Sequence, residues 1–437
     1  MSVYDKYKDS GTSWLGQIPS EWKTGVIGSL YKLRNTKVSD VDYPPLSVTM
    51  KGIVPQLENA AKTDAHDARK LVLKGDFAIN SRSDRRGSCG ISEYDGSVSL
   101  INTVLTPRKS MNPKYYDWLF HTIQFADEYY KQGHGIVNDL WTTRWDEMKR
   151  IIIPVPSDDE QRAIAKYLDK KITHIDSVIS EAKASIEEYK AWKASIIYEA
   201  VTKGLDPNVE MKDSEIEWIG EMPFNWSMKP IKRIVVARDG GAWGDEVANQ
   251  ESDGNRICMR IADFDFDKGK FKKNNINFYT ERNYSHDQIE KLTLQKGDLL
   301  IEKSGGGEKT PVGRIVLFDL EFDALYANFM DRIRVDFKQA LPKYISYYWR
   351  AMYYKAVTTA YIKQTTGIQN LNISALLEKE NVLLPEITVQ EKIVNFLDIE
   401  CERIDTLISE KNLLVSDLEL YKKSLIFEVV TGKRKVV

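Results

Sequence analysis

Gln161–Thr202, QRAIAKYLDKKITHIDSVISEAKASIEEYKAWKASIIYEAVT, aligns without a gap on Gln390–Thr431, QEKIVNFLDIECERIDTLISEKNLLVSDLELYKKSLIFEVVT. Fifteen of the forty-two positions are identical, among them Gln161/Gln390, Leu168-Asp169/Leu397-Asp398, Ile175-Asp176/Ile404-Asp405 and Lys193/Lys422. A repeat of such long period indicates two copies of a whole domain, not a solenoid of short units. Both stretches lack Pro and Gly and carry apolar residues at alternating spacings of three and four. In the first these are Leu168, Ile172, Ile175, Ile179, Ala182, Ile186, Tyr189, Trp192 or Lys193, and Ile196. In the second the same spacing is followed by Leu397, Cys401, Ile404, Ile408, Lys411, Val415, Leu418 and Leu425. That spacing is a coiled-coil seam. Each stretch therefore predicts a helical rod of about 60 Å. Two matching seams in one chain pack on each other most simply in antiparallel fashion, with a pseudo-two-fold axis; the alternative is that each helix folds back on its own domain.

Each helix follows a strand and a proline, Ile151–Pro156 and Val382–Pro385, and the proline discourages helix before it. Ser157-x-x-Glu160 and Thr388-x-x-Glu391 read as capping boxes, and Gly204 with Pro207 ends the first helix. Upstream of each helix lies a globular segment opened by a common skeleton. Asp9-Ser10, Trp14, Gly16, Pro19 and Trp22 return as Asp213-Ser214, Trp218, Gly220, Pro223 and Trp226. A turn whose tryptophans cover the start of a core accounts for this skeleton by itself.

The globular segments also match at landmarks. Lys74–Ile79 (KGDFAI) corresponds to Lys296–Ile301 (KGDLLI), and Pro113–Tyr130, helical in period with Tyr116, Leu119, Phe120, Ile123 and Ala126 on one face, corresponds to Pro342–Ala356. Gly135-Ile136-Val137-Asn138 corresponds to Gly367-Ile368-Gln369-Asn370. Short apolar runs between Gly turns, such as Lys70–Leu73 and Phe77–Ile79, read as strands. Between the landmarks the copies diverge: Arg82–Gly87 stands where the second copy has Lys303–Gly307. Similar frames with different loops suit one kind of task performed on two targets.

Composition narrows the class. A chain of 437 residues with 42% hydrophobic and 11% aromatic residues is folded and holds more than one core. It has no apolar run of the ~18–20 residues that span a membrane, and Met1–Lys6 lacks the apolar core of a signal peptide. Three cysteines, Cys89, Cys258 and Cys401, give neither a disulfide framework nor a zinc spacing. The expected location is the cytoplasm. A net charge of −2 means that any surface for nucleic acid is local.

Catalytic motifs fail on inspection. Ser304–Thr310 resembles a phosphate loop, but Glu308 stands where a Walker A needs glycine. Tyr43 interrupts what would otherwise resemble the Asp-Pro-Pro-aromatic turn of amino-methyltransferases. His66, His121, His134, His174 and His286 show no metal spacing. Asp298 with Glu302-Lys303 lacks the carboxylate-x-Lys spacing of a nuclease centre. What remains is basic loop chemistry. Arg82, Arg85 and Arg86 lie among Ser81, Ser83 and Ser88; Lys303, Ser304, Lys309 and Arg314 hold the equivalent place, with Arg256 and Arg260 upstream. Arginine reads guanine bidentately, and Lys and Ser serve phosphates. A solvated charged loop without a target is the plainer reading of composition alone.

The order of parts resembles the DNA-specificity subunit of Type I restriction–modification enzymes. The residues that carry this are the Asp-Ser…Trp-x-Gly-x-x-Pro-x-x-Trp opening, a variable segment, the proline, the helix with Gln-x-x-Ile-x-x-x-Leu-Asp and Ile-Asp, and the repetition of all of them. The resemblance covers essentially the whole chain. It implies an α+β fold with two globular target-recognition domains, of mixed α/β structure with a strongly curved sheet, separated by two long antiparallel coiled-coil helices. The expected divisions are 1–156 and 205–387 for target recognition, and 157–204 and 388–437 for the spacer helices. Each domain would read half of a bipartite duplex DNA target. Lys51, Ser81, Arg82, Ser83, Arg85, Arg86, Arg256, Arg260, Lys303, Ser304, Lys309, Arg314, Gln369 and Asn370 are the expected DNA-facing residues. The helix seam, with Leu168, Ile172, Ile175, Ile179, Ile186, Tyr189, Ile196, Leu397, Ile404, Ile408, Val415, Leu418 and Leu425, would set the spacer and dock two methyltransferase subunits. Restriction/translocase subunits would complete the complex, and adenosylmethionine, ATP and magnesium would belong to those partners; no cofactor is expected here. The remaining alternatives are an enzyme with unfamiliar motifs, a specificity module of a related non-Type I methylation system, and a coiled-coil scaffold that binds protein only.

Overall fold

The structure, a computed structural model, describes residues 3–57, 66–82, 85–108, 111–135, 141–247, 249–273, 275–365 and 367–436. The chain forms two compact units, Met1–Lys183 with Leu413–Val437, and Ala184–Asn412. Two long helices, Asp158–Lys203 and Ile387–Val430, each contribute their first part to one unit and their last part to the other. The first is favoured by Asp158, Asp159 and Glu160 in its opening turn and Lys203 in its last, charges that complement the helix dipole. The Ser157 hydroxyl accepts the Glu160 N–H at 3.3 Å. The second helix begins at Ile387, ahead of Thr388, so Thr388 is not its cap. Glu386 holds that place: its carbonyl accepts the Gln390 N–H at 3.0 Å, as the Ser157 carbonyl accepts that of Gln161 at 2.9 Å. Among the described residues no helix is long and apolar enough to cross a membrane.

The seam residues are the buried ones. In the first unit Ile164, Leu168, Ile172, Ile175 and Ile179 share a core with Val415, Leu425, Val429 and Val430. In the second, Ile197, Ala200 and Val201 share one with Ile393, Leu397 and Cys401. Ile186 and Ile404 are buried, and Tyr189, Ile196, Ile408 and Leu418 are half-buried. Lys193 takes the inward position, 4% exposed, and leaves Trp192 outside at 40%. Its ammonium donates to both carboxylate oxygens of Asp405 at 2.6 and 2.8 Å and to the Asp267 carbonyl at 2.7 Å. The repeat-equivalent lysine, Lys422, donates to both oxygens of Asp176 at the same 2.6 and 2.8 Å. In the first unit Lys183 also pairs with Glu419 at 3.1 Å. Going from 176 to 183 on one helix moves from 422 to 419 on the other, so those segments run antiparallel.

The two copies share a sheet plan. Cys89–Ile91, Phe77–Asn80, Asn102–Pro107 and Tyr31–Arg34 form a four-stranded antiparallel sheet in that order. In the second unit Ile315–Leu317, Leu299–Glu302, Met330–Val335 and Val235–Gly240 do the same. The aspartate of each KGD turn is buried and salt-bridged: Asp76 to Arg34 at 2.6 Å, Asp298 to Arg334 at 2.7 Å. The strand before each helix also pairs alike, Ile152–Val155 with Lys23–Val26 and Asn381–Leu384 with Ser227–Pro230.

Buried glutamines join each sheet to its helix. Gln161 donates to the Pro156 carbonyl (3.0 Å) and accepts from the Asn112 N–H (3.1 Å). Gln390 donates to the Pro385 carbonyl (2.9 Å) and accepts from the Leu341 N–H (2.9 Å). Trp118 then bonds to Asp169 at 3.0 Å, and Tyr347 to Asp398 at 2.7 Å. The helical stretch 113–130 is two helices, Pro113–Phe120 and Ile123–Lys131, because the Thr122 hydroxyl caps the second by accepting the Phe125 N–H at 3.2 Å. That break turns Ile123 outward, to 49% exposure, off the face that periodicity gave it. Its counterpart, Pro342–Tyr354, is continuous.

The tryptophan openings close the ends of the helices. Gly204 and Gly432 end them with φ of +79° and +73°. Trp226 packs over Gly204, and Trp22 with Pro19 over Gly432. A Cβ at Gly432 would come within 2.4 Å of Pro19 Cδ. Gly432→Ala therefore combines a left-handed backbone with a rigid clash and is expected to destabilise the chain by about 1–3 kcal/mol. Urea unfolding measures this; an unchanged midpoint would refute the packing.

Candidate nucleic-acid interface

In both units the central strand of the four-stranded sheet, Phe77–Asn80 or Leu299–Glu302, runs out into the loop singled out by its charges. In the first unit Ser81 is buried, its N–H and hydroxyl both donating to the Ile101 carbonyl. Arg82 and Arg85 are exposed. The Arg85 carbonyl accepts from Tyr130 at 3.4 Å, and Arg86, half exposed, pairs with Asp127. Ser83 lies outside the described residues, as do Ile136, Val137 and Asn138. Arg82 forms a bridge with Thr142, which also pairs with His134, so this loop meets the segment that follows the second short helix. Lys51 is exposed on a separate hairpin, Leu46–Thr49 with Gly52–Pro55.

The second unit gathers more of its candidates. Ser304–Gly305 pairs with Ile368–Leu371, which pairs in turn with Ile362–Thr365. Ser304 and Asn370 meet side chain to side chain at 2.7 Å, and Gln369, 8% exposed, accepts the Val312 N–H at 3.2 Å. Lys309 is exposed. Arg314 points inward: both arms of its fork donate to Glu302 at 2.7 Å, and its guanidinium lies 3.9 Å from the centroid of the Phe266 ring. Burial alone would lower its pKa, and the Glu302 bond overcomes that and raises it. Arg256 and Arg260 sit at another sheet, formed by Thr280–Asn283, Asn255–Met259 and Ala324–Tyr326. There Arg256 donates to the Asp253 and Asn255 carbonyls at 2.8 Å. Arg260 is held by Asp263 at 3.0 Å, a bond that raises its pKa against the opposing effect of burial.

Sequence reading missed an ionic cluster on the four-stranded sheet of this unit, centred on its inner strand Met330–Val335. Asp331, almost wholly buried, forms ion pairs with Lys303 at 2.8 Å and with Arg238 at 2.6 Å, and Arg332, buried, reaches Asp239. The alternation Asp331-Arg332-Ile333-Arg334-Val335 was the available signal, because charges in a strand that buries both faces need partners. The same cluster accounts for the would-be nuclease residues: Asp298 is tied to Arg334, Glu302 to Arg314, and Lys303 to Asp331. Among the described residues no three His, Cys, Asp or Glu side chains are placed to hold a metal ion.

No family model matches the chain. Similar curated proteins are the type I restriction enzyme StySPI specificity subunit of Salmonella potsdam and the EcoKI specificity subunit of Escherichia coli K12. The first is 20% identical over 346 residues, 78% of this chain and 69% of that one. The second is 22% identical over 284 residues, 65% of this chain and 58% of that one. A protein of Methanocaldococcus jannaschii bearing the name of a type I MjaX specificity subunit is 22% identical over 236 residues, covering 49% and 52%. The chain thus spans between about half and two thirds of the length of these relatives. Among solved structures, a chain from work on complex assembly and conformational transition of the type I R-M system superposes with a TM-score of 0.69 at 14% identity, over 94% of this chain and 98% of that one. The HsdS subunit of Thermoanaerobacter tengcongensis gives 0.51 at 14% identity, over 95% and 98%. The chain resembles Type I specificity subunits. The structural likeness establishes a shared fold: mixed α/β with two long helices.

The geometry separates two kinds of arginine and lysine in the second loop. Arg314→Ala strands Glu302, 1% exposed, as an uncompensated buried charge and is expected to cost about 3–5 kcal/mol. Lys309→Ala on the surface is expected to stay within about 0.5 kcal/mol. Chemical denaturation of both variants compares them, and equal midpoints would contradict the assignment of Arg314 as a clamp.

Proposed function

We propose that this chain is the non-catalytic DNA-specificity subunit of a Type I restriction–modification complex. In this reading each globular part, 1–156 and 205–387, reads half of a bipartite duplex target. The helices, 157–204 and 388–437, form an antiparallel coiled coil about a pseudo-two-fold axis and fix the spacer between half-sites. Two methyltransferase subunits dock on this frame and restriction/translocase subunits join them, bringing adenosylmethionine, ATP and magnesium. The observation that carries the reading is the contrast between repeated wiring and unrepeated loops. Gln161 and Gln390, Asp169 and Asp398, and the exchanged pairs Lys193–Asp405 and Lys422–Asp176 make the same bonds in both copies. At the same sheet ends the loops present Arg82, Arg85 and Arg86 in one copy and Ser304 and Lys309 in the other. A shared frame with two unlike reading edges fits two half-sites of different sequence.

Ser81, Arg82, Ser83, Arg85, Arg86 and Lys51 are assigned to the first half-site. Lys303, Ser304, Lys309, Gln369, Asn370, Arg256, Arg260 and Arg314 serve the second, by direct contact or by holding those that make it. Arg85→Ala or Arg86→Ala should relax recognition of one half-site by about 1–3 kcal/mol for each bidentate arginine–guanine pairing removed. Methylated positions mapped by long-read sequencing provide the readout, and an unaltered motif would remove these residues from the interface. Inserting about four residues, one helical turn, near Gly204 should lengthen the spacer and leave both half-site sequences intact. A change in the half-sites themselves would contradict the helices' role as a ruler.

A further inference from the structure

The paired sheets allow the same place in the two units to be compared residue by residue. Thr103 pairs with Ile79 as Asp331 pairs with Ile301, and Leu33 pairs with Leu105 as Arg238 pairs with Ile333. Ser81 follows its strand as Lys303 follows its own. In the second unit this place is an ionic knot. Asp331 sits between Lys303 (2.8 Å) and Arg238 (2.6 Å), so one carboxylate answers two cations. In the first unit Thr103 replaces the acid and Leu33 one of the bases, and a recess of about 370 Å³ opens instead.

That recess is lined by Lys70, Arg82 and Arg144 together with Ser81, Thr103 and Thr143, and among the described residues by no carboxylate. Arg82 and Arg144 are exposed and have no ion pair among the described residues. Among the described residues the Lys70 ammonium reaches a neutral acceptor alone, the Asn102 carbonyl at 2.7 Å. Its half-buried setting lowers its pKa, so a nearby anion would relieve the desolvation it suffers. Glu147, in the helical turn that follows Arg144, accepts the Arg144 N–H at 3.1 Å and lies 3.8 Å from His134. Three cations around one recess form an anion site.

We propose that this recess holds a backbone phosphate of duplex DNA beside the first half-site, and that the second unit has no counterpart because Asp331 supplies its own anion there. The proposal rests on the DNA-reading function given above. The phosphate would accept from Lys70, Arg82 and Arg144, fixing the register of the duplex on the first reader without reading a base.

The test uses the full chain with its methyltransferase partner and a duplex carrying its methylated motif. Arg144→Ala, at an exposed position, and Thr103→Asp, which transplants the second unit's acid, are compared with the parent across a salt series. Each should leave the motif unchanged and make the slope of log K against log salt shallower by about 0.9, the change expected when one phosphate is no longer neutralised. Sequence-selective binding with an unchanged slope in both variants would overturn the recess while leaving the DNA reading intact. A parent chain that selects no DNA sequence would overturn the reading itself. A second arm titrates inorganic phosphate into the full chain and follows its ³¹P resonance. Broadening that Arg144→Ala abolishes, with no effect of that variant on DNA binding, would identify a free-anion site and refute the duplex assignment.

Discussion

A lysine ammonium inside a helix interface is tolerable only when it is fully paired, and Lys193 meets that condition through Asp405 and the Asp267 carbonyl. The bond fixes more than a charge. A seam of leucines and isoleucines could slide by a heptad at modest cost, whereas Lys193 meets both Asp405 and the Asp267 carbonyl in the register observed. Lys422 and Asp176, the equivalent residues with their roles exchanged between helices, repeat the constraint in the other unit at lower burial. Everything attached to the helices inherits that register. Gln161 and Gln390 tie each helix start to the preceding strand and to the helix beginning at Pro113 or Pro342, and Asp169 and Asp398 secure the same helices about two turns further on.

The frame was legible because its residues are repeated and its periodicity long. The seam, the KGD turns, the prolines before the helices and the glycines after them can all be read as characters in a row, and each has one physical meaning. The misreadings are local. Thr388 looked like a cap because it precedes a glutamate by three residues, yet Glu386 occupies the position of Ser157, and a backbone carbonyl closes the turn there. Ile123 looked like core because one helix was assumed where Thr122 starts a second. Trp192 and Lys193 could not be separated by spacing, and the charged residue proved the buried one because Asp405 lies opposite.

The candidate interface was less legible, for a different reason. A basic residue in a loop reads the same whether it faces solvent or a buried acid. Arg314 and Lys309 are neighbours in the sequence, but Arg314 closes on Glu302 and Phe266 while Lys309 stands free in water. Lys70, Thr103 and Arg144 drew no attention because nothing in a single strand or turn marks them; they acquire meaning only when the sheet brings them together. At register-matched places the cluster around Asp331 is neutralised and the one around Thr103 is open.

In the proposed function two unlike readers share one repeated frame, and the spacer between their half-sites is constant. Long-read methylation mapping of cells that carry this chain with its methyltransferase partner tests it most directly. The result expected is adenine methylation at a bipartite motif, two specified half-sites flanking an unspecified spacer of constant length. A contiguous motif, a spacer of varying length, or methylation independent of this chain would contradict it.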